Sequence, residues 1–138
     1  MTIVAIDYGK RRLGIAAADK STLVVFPQGV IERRSIKRDL SALRARLEEL
    51  EATLVIVGLP LNMDGSAGPA ALEATHFAQI LQKATGLEVQ VFDERLSTFE
   101  AKERLRTGSR HHRRRAFVDA VAAAVILEAW LQRQPMAH

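Results

Sequence analysis

Thr2-Ile3-Val4-Ala5-Ile6-Asp7-Tyr8-Gly9-Lys10-Arg11-Arg12-Leu13-Gly14-Ile15-Ala16-Ala17-Ala18-Asp19 is the stretch that decides the fold. Thr2 to Ile6 is apolar and rich in β-branched side chains, so it reads as a buried strand. Ile15 to Ala18 is a second apolar run. The basic, glycine-bounded turn between them makes the two runs a hairpin. Asp7 is then left where a buried strand meets solvent. A carboxylate there loses hydration unless a cation or hydrogen-bond donors compensate. A turn aspartate bonded only to nearby amides is the alternative at this point.

Outward from the hairpin, Leu23 to Phe26 continues in extended character, Pro27 and Gly29 interrupt it, and Val30-Ile31 resumes it. Proline belongs on a sheet edge, so this third strand is placed there. Ser35 caps an amphipathic helix from Ile36 to Leu50, with Ile36, Leu40, Leu43, Leu47 and Leu50 on one face. Leu54 to Gly58 is wholly apolar, as in strands covered on both faces. The loop Leu59 to Gly68 follows. Its length is that of functional loops, and Asn62, Asp64 and Gly65 lie in it. Pro69 opens a helix running to Thr85, with Leu72, Phe77, Ile80 and Leu81 expected inward. Leu87 to Phe92 is the fifth strand. Ser97-Thr98-Phe99-Glu100 is a capping box for a short helix to about Thr107. Ser109 to Arg115 reads as a basic loop, and Ala116 to Gln132 as a last helix with Phe117, Val121, Val125 and Leu131 among its apolar positions.

Right-handed crossovers make strands 1, 4 and 5 parallel. The first three strands form an antiparallel meander. The expected architecture is α/β: one domain over residues 1–138, with a five-stranded mixed sheet in the order 3-2-1-4-5 and helices on both faces. The C-terminal ends of strands 1, 4 and 5 share one edge, where α/β proteins build their sites.

Three carboxylate positions meet at that edge. Asp7 ends strand 1, Asp93 and Glu94 end strand 5, and Asp119 interrupts the apolar run Phe117 to Val125. A helix-dipole partner or an arginine pair would also explain Asp119. The 138 residues contain no cysteine, so disulfides and thiolate sites are excluded. Carboxylates without cysteine or a paired histidine motif suit a hard cation, Mg²⁺ or Mn²⁺, rather than Zn²⁺. The net charge is +4, and Lys102 to Arg115 holds seven basic residues against Glu103 alone. Such a cluster points to a polyanion partner, with a solvated helix face as the plain alternative. Hard cations beside a basic surface suggest phosphodiester hydrolysis. No apolar run is long enough for a membrane span and no secretory signal is visible, so no membrane partner and a cytoplasmic location are expected.

Asp7-Tyr8-Gly9 with Arg12-Leu13-Gly14-Ile15-Ala16, Gly58-Leu59-Pro60 with Asp64-Gly65, Asp93 to Thr98, and Asp119 with Ala122-Ala123 and Ile126-Leu127 stand in order along the chain. Together they resemble the YqgF/RuvX family, named for pre-16S rRNA nucleases and related to Holliday junction resolvases. The resemblance implies an RNase H-like fold and a metal-dependent endonuclease. It also implies metal-binding catalytic carboxylates at Asp7, Glu94 and Asp119, selecting Glu94 over Asp93. Lys10, Arg11, Arg12, Arg95, Arg110, Arg113, Arg114 and Arg115 are the candidate contacts to nucleic acid, with Asn62, Asp64 and Gly65 near the strand. Arg95 has a carboxylate or a phosphate as alternative partner.

The expected substrate is the 5′ end of pre-16S rRNA, in ribosome biogenesis. A structure-selective nuclease acting on branched DNA would use the same residues, and symmetric junction cleavage would need a homodimer. A nucleic-acid-binding module without catalysis would not gather acids beside phosphate. A sugar-kinase or actin-like ATPase also opens on Asp-x-Gly but needs a second domain. Without metal, mutual repulsion of the three carboxylates leads to the expectation that Asp119→Asn preserves or raises stability.

Overall fold

The computed structural model describes residues 1–97 and 112–135. The strands are β1 (Thr2–Tyr8), β2 (Arg12–Asp19), β3 (Val25–Glu32), β4 (Ala52–Leu59) and β5 (Glu88–Asp93). The helices are α1 (Ile36–Glu49), α2 (Pro69–Thr85) and α3 (His112–Gln132), and a single 3-10 turn spans Glu94–Leu96. The sheet order is β3-β2-β1-β4-β5, with β1 antiparallel to β2 and parallel to β4, and β5 parallel to β4. This is the expected topology. β3 lies at the edge, and its register with β2 slips between Ile15 and Ala16, beside Pro27.

Side-chain alternation along β1 explains the layers. Val4 and Ile6 pack on one face with Leu13, Ile15, Val55 and Val57, beneath Leu43 and Leu47 of α1 and Phe77 and Leu81 of α2. Ile3 and Ala5 pack on the other face with Ile56 and Phe92, beneath Ile126, Leu127 and Trp130 of α3. Ala16 packs against Ala123 and Ala124. Small side chains on both partners let α3 approach β2 closely.

Three helix faces differ from the expectation. On α2 the buried stripe is Ala71, Ala74, Phe77, Ala78 and Leu81, whereas Leu72 is exposed. Leu72 lies about 100° around the helix from Ala71, and the alanines set the contact face. On α3 the buried stripe is Ala120, Ala123, Ala124, Ile126, Leu127, Ala129 and Trp130, and Phe117 is exposed. Ile36, expected inward on α1, is exposed as well. The expected basic loop is also shorter at its end, because α3 begins at His112 rather than Ala116. Arginine is a good helix former, and nothing from His112 to Arg115 breaks a helix. The helix expected from Thr98 to Thr107, and Arg110, lie outside the described residues.

Candidate active site

Asp7 continues the parity of Ile3 and Ala5, so it belongs to the sheet face that α3 covers. Its partner across β2 is Gly14. On the other side, Ile6 pairs with Val57, and the next residue of β4 is Gly58. Asp7 is therefore flanked by a glycine on each neighbouring strand, and both glycines make room. A Cβ on Gly14 would stand 2.1 Å from the Asp119 carbonyl oxygen and 2.6 Å from its carbonyl carbon. A Cβ on Gly58 would stand 2.6 Å from Glu94 Oε1 and 2.8 Å from Ile126 Cδ1. The main chain at Asp119 thus sits on one side of Asp7, and the Glu94 carboxylate lies over the other. A glycine inside an apolar strand marks close approach of another chain segment, and that signal was present in both strands.

The three carboxylates differ in their engagement. Asp119 accepts a hydrogen bond from Arg12 Nε at 2.7 Å, with side chains 32% and 12% exposed respectively. Arg12 shares the parity of Gly14 and Ala16, which brings it beneath α3. Arg12, expected as a nucleic-acid contact, is the ion-pair partner of Asp119 in this structure. The pair also changes the metal-free balance, since a guanidinium beside Asp119 offsets the repulsion from other acids. Among the described residues no three His, Cys, Asp or Glu side chains stand as a ready ion-binding group. The donors themselves are carboxylate oxygens, which fit a hard divalent cation; the guanidinium now holds one of them.

Arg95 pairs with Asp93. Its Nη2 lies 2.7 Å from Asp93 Oδ2, and its Nε donates to both carboxylate oxygens. Its Nη1 reaches the Met63 carbonyl at 3.1 Å. The carboxylate expected as one partner of Arg95 is that of Asp93. These bonds hold the Asp93 carboxyl below the usual carboxylate range and raise the Arg95 guanidinium. They also tether the loop after β4 to the end of β5, directly beside Glu94.

Within that loop Asp64 accepts from the Ser66 amide at 2.9 Å and the Ser66 hydroxyl at 2.6 Å. These bonds lower the Asp64 carboxyl, the hydroxyl bond most. Asn62 Nδ2 donates to Ser66 Oγ, and the Gly65 amide donates to the Asn62 carbonyl. Asn62, Asp64 and Gly65 therefore shape an exposed turn tied to the site through Arg95.

One supporting network had no counterpart in the sequence reading. Asp39 is almost fully buried at the start of α1. It accepts from the Arg34 amide at 2.8 Å and pairs with Arg33 Nε at 3.4 Å. Arg33 lies 4.5 Å from the Tyr8 ring centroid and donates to the Gly9 carbonyl at 2.9 Å. The network grips the turn after Asp7 from the sheet face opposite α3. The only visible sign was an acid in the first turn of a helix. Lys10 and Arg11 are exposed on the same turn.

Residues 1–133 match the family model for RuvX, described as a Holliday junction resolvase. The chain belongs to the RuvX family. A relative from Anaeromyxobacter sp. (strain Fw109-5), named "Putative pre-16S rRNA nuclease", is 48% identical, covering 95% of this chain and 96% of its own. A relative of the same name from Myxococcus xanthus (strain DK1622) is 41% identical over 95% of this chain and 87% of its own. Among solved structures, Thermus thermophilus RuvC in complex with a Holliday junction substrate aligns with a TM-score of 0.61 at 14% identity, covering 96% and 95% of the two chains. The fowlpox virus Holliday junction resolvase aligns with a TM-score of 0.58 at 12% identity, over 97% of this chain and all of that one. These two similarities establish a resolvase-like, RNase H-type fold for this member of the RuvX family. No helix among the described residues is long and apolar enough to cross a membrane.

Proposed function

We propose that this RuvX-family chain is a metal-dependent endonuclease that matures the 5′ end of pre-16S rRNA. The observation that carries the reading is the glycine-flanked Asp7, with Glu94 over Gly58 and Asp119 backed onto Gly14. Acids from three distant segments approach one strand end beside α3, and a divalent cation held there would offset their charge. The names carried by the 48% and 41% identical relatives favour rRNA as substrate.

Asp7, Glu94 and Asp119 would hold Mg²⁺ or Mn²⁺, which would supply an activated water and offset charge on the leaving oxygen. Asp7 would be the central ligand, since the Gly14 and Gly58 beside it carry the Asp119 backbone and the Glu94 side chain. Arg95 sets the position of the loop from Asn62 to Gly65 through the Met63 carbonyl. Backbone amides of that loop can then meet a sugar-phosphate strand. Lys10, Arg11, Arg110, Arg113, Arg114 and Arg115 supply the sequence-independent attraction to phosphate.

The family description favours a second reading, cleavage of branched DNA, and symmetric cutting of a junction would require a homodimer. The two are separated by comparing single-turnover rates with Mg²⁺ and with Mn²⁺ on three substrates. These are a 5′-extended 16S rRNA fragment, a four-way DNA junction and linear duplex DNA. Faster cleavage of the rRNA fragment is expected. Faster, symmetric cleavage of the junction would transfer the assignment to the second reading.

A further inference from the structure

Arg12 is a basic side chain that the fold delivers onto a proposed metal ligand. β2 turns it toward α3 in the same row as Gly14, and its Nε stands 2.7 Å from Asp119 Oδ2. At 12% exposed it is not a solvated surface arginine. A divalent cation needs the same kind of oxygen at about 2.0–2.1 Å for Mg²⁺. A guanidinium and a divalent cation sharing one carboxylate also repel each other.

We propose that Arg12 is a resident counter-ion of the site: it holds Asp119 in the metal-free protein and gives up that oxygen when a divalent cation loads. The inference rests on the metal-dependent reading above and assigns Arg12 a positioning role within it. Arg12 sets the threshold for loading, because part of the cation's binding energy is spent on breaking the pair. Until then the pair joins β2 to α3, whose backbone at Asp119 lies against Gly14. Once released, its planar fork has the geometry to take a phosphate.

Two measurements without nucleic acid test this. In ¹⁵N-labelled protein, the Arg12 Nε–Hε signal is assigned by its change in Asp119→Asn. Titration with Mg²⁺ should shift that signal with saturation, at the concentration where calorimetry sees binding. In parallel, Mn²⁺ affinity is measured for the parent, Arg12→Gln and Arg12→Lys. Arg12→Gln should bind Mn²⁺ about five- to tenfold more tightly, a range set by the strength of a part-buried pair, with Arg12→Lys in between. If Arg12→Gln does not fold, the signal titration on the parent and the lysine variant decide. An unmoved signal in a parent that binds Mg²⁺, or Mn²⁺ affinity unchanged or weaker in the variants, overturns the counter-ion role and leaves the nuclease reading standing. Absence of divalent-cation binding in parent and variants alike overturns both.

Discussion

Gly14→Ala tests how closely α3 is seated on the sheet. The new methyl would stand 2.1 Å from the Asp119 carbonyl oxygen, 2.6 Å from its carbon and 3.2 Å from the Ala120 amide nitrogen. All three are backbone atoms of α3, so no side chain can rotate away. Ordinary contact between carbon and its neighbours needs roughly 3.5 Å, so α3 must retreat by more than about 1 Å. That retreat loosens Ile126, Leu127 and Trp130 from Ile3, Ala5, Ile56 and Phe92. Overpacking of this kind costs about 1–3 kcal/mol, and a rigid backbone obstacle puts this case at the upper end. Alanine returns about 0.4–1 kcal/mol by restricting the unfolded chain. The net expectation is a loss of about 2 kcal/mol. Trp130 is the only tryptophan and is buried against the sheet, so its fluorescence reports unfolding in urea. With a slope near 2 kcal/mol per molar, the midpoint should fall by about 1 M. A midpoint within about 0.2 M of the parent would refute the close seating of Asp119 on Gly14.

Gly58→Ala meets the flexible Glu94 side chain and the Ile126 methyl rather than backbone; its cleavage rate should fall by at least about tenfold while its urea midpoint drops less than that of Gly14→Ala. Asp39→Ala strands Arg33 and the Arg34 amide, so it should cost about 2–4 kcal/mol in urea titration although it lies on the face away from α3. Asp93 has a folded-state pKa below its unfolded value, so its contribution is present above about pH 4 and is lost as pH falls through the folded value; Asp93→Asn should therefore lose less melting temperature on acidification than the parent. Replacing Arg113, Arg114 and Arg115 with Ala should weaken nucleic-acid binding alike for all sequences and shrink the slope of log K against log salt by about 0.7–0.9 per lost contact.

The sheet was legible because its signals are local. Apolar alternation, a proline at the edge and helix-linked crossovers leave few topologies, and the observed order is among them. The ends of β1 and β5 were legible for the same reason, which puts Asp7 and the adjacent Asp93 and Glu94 on one sheet edge, while the choice of Glu94 over Asp93 came only from the family resemblance. The helix faces were less so. Leucine and phenylalanine carried the reading at Leu72 and Phe117, whereas alanine stripes carry the contact on α2 and α3. The Arg12–Asp119 pair joins residues 107 apart in sequence, and no local pattern announces such a partner. Asp39 was hidden for a different cause: one acid among the many charged residues of α1 looks like surface until its neighbours Arg33 and Arg34 fold over it.

The central claim is that Asp7 is the hub of a metal-dependent hydrolytic site. It is tested most directly by single-turnover cleavage of a 5′-extended 16S rRNA fragment in Mg²⁺, comparing the parent with Asp7→Asn, each verified as folded by Trp130 fluorescence. Mg²⁺-dependent cleavage by the parent, abolished by excess EDTA, and a rate lower by at least about 10²-fold in the variant are expected. Cleavage by Asp7→Asn at the parental rate, or cleavage by the parent undiminished in EDTA, would contradict it.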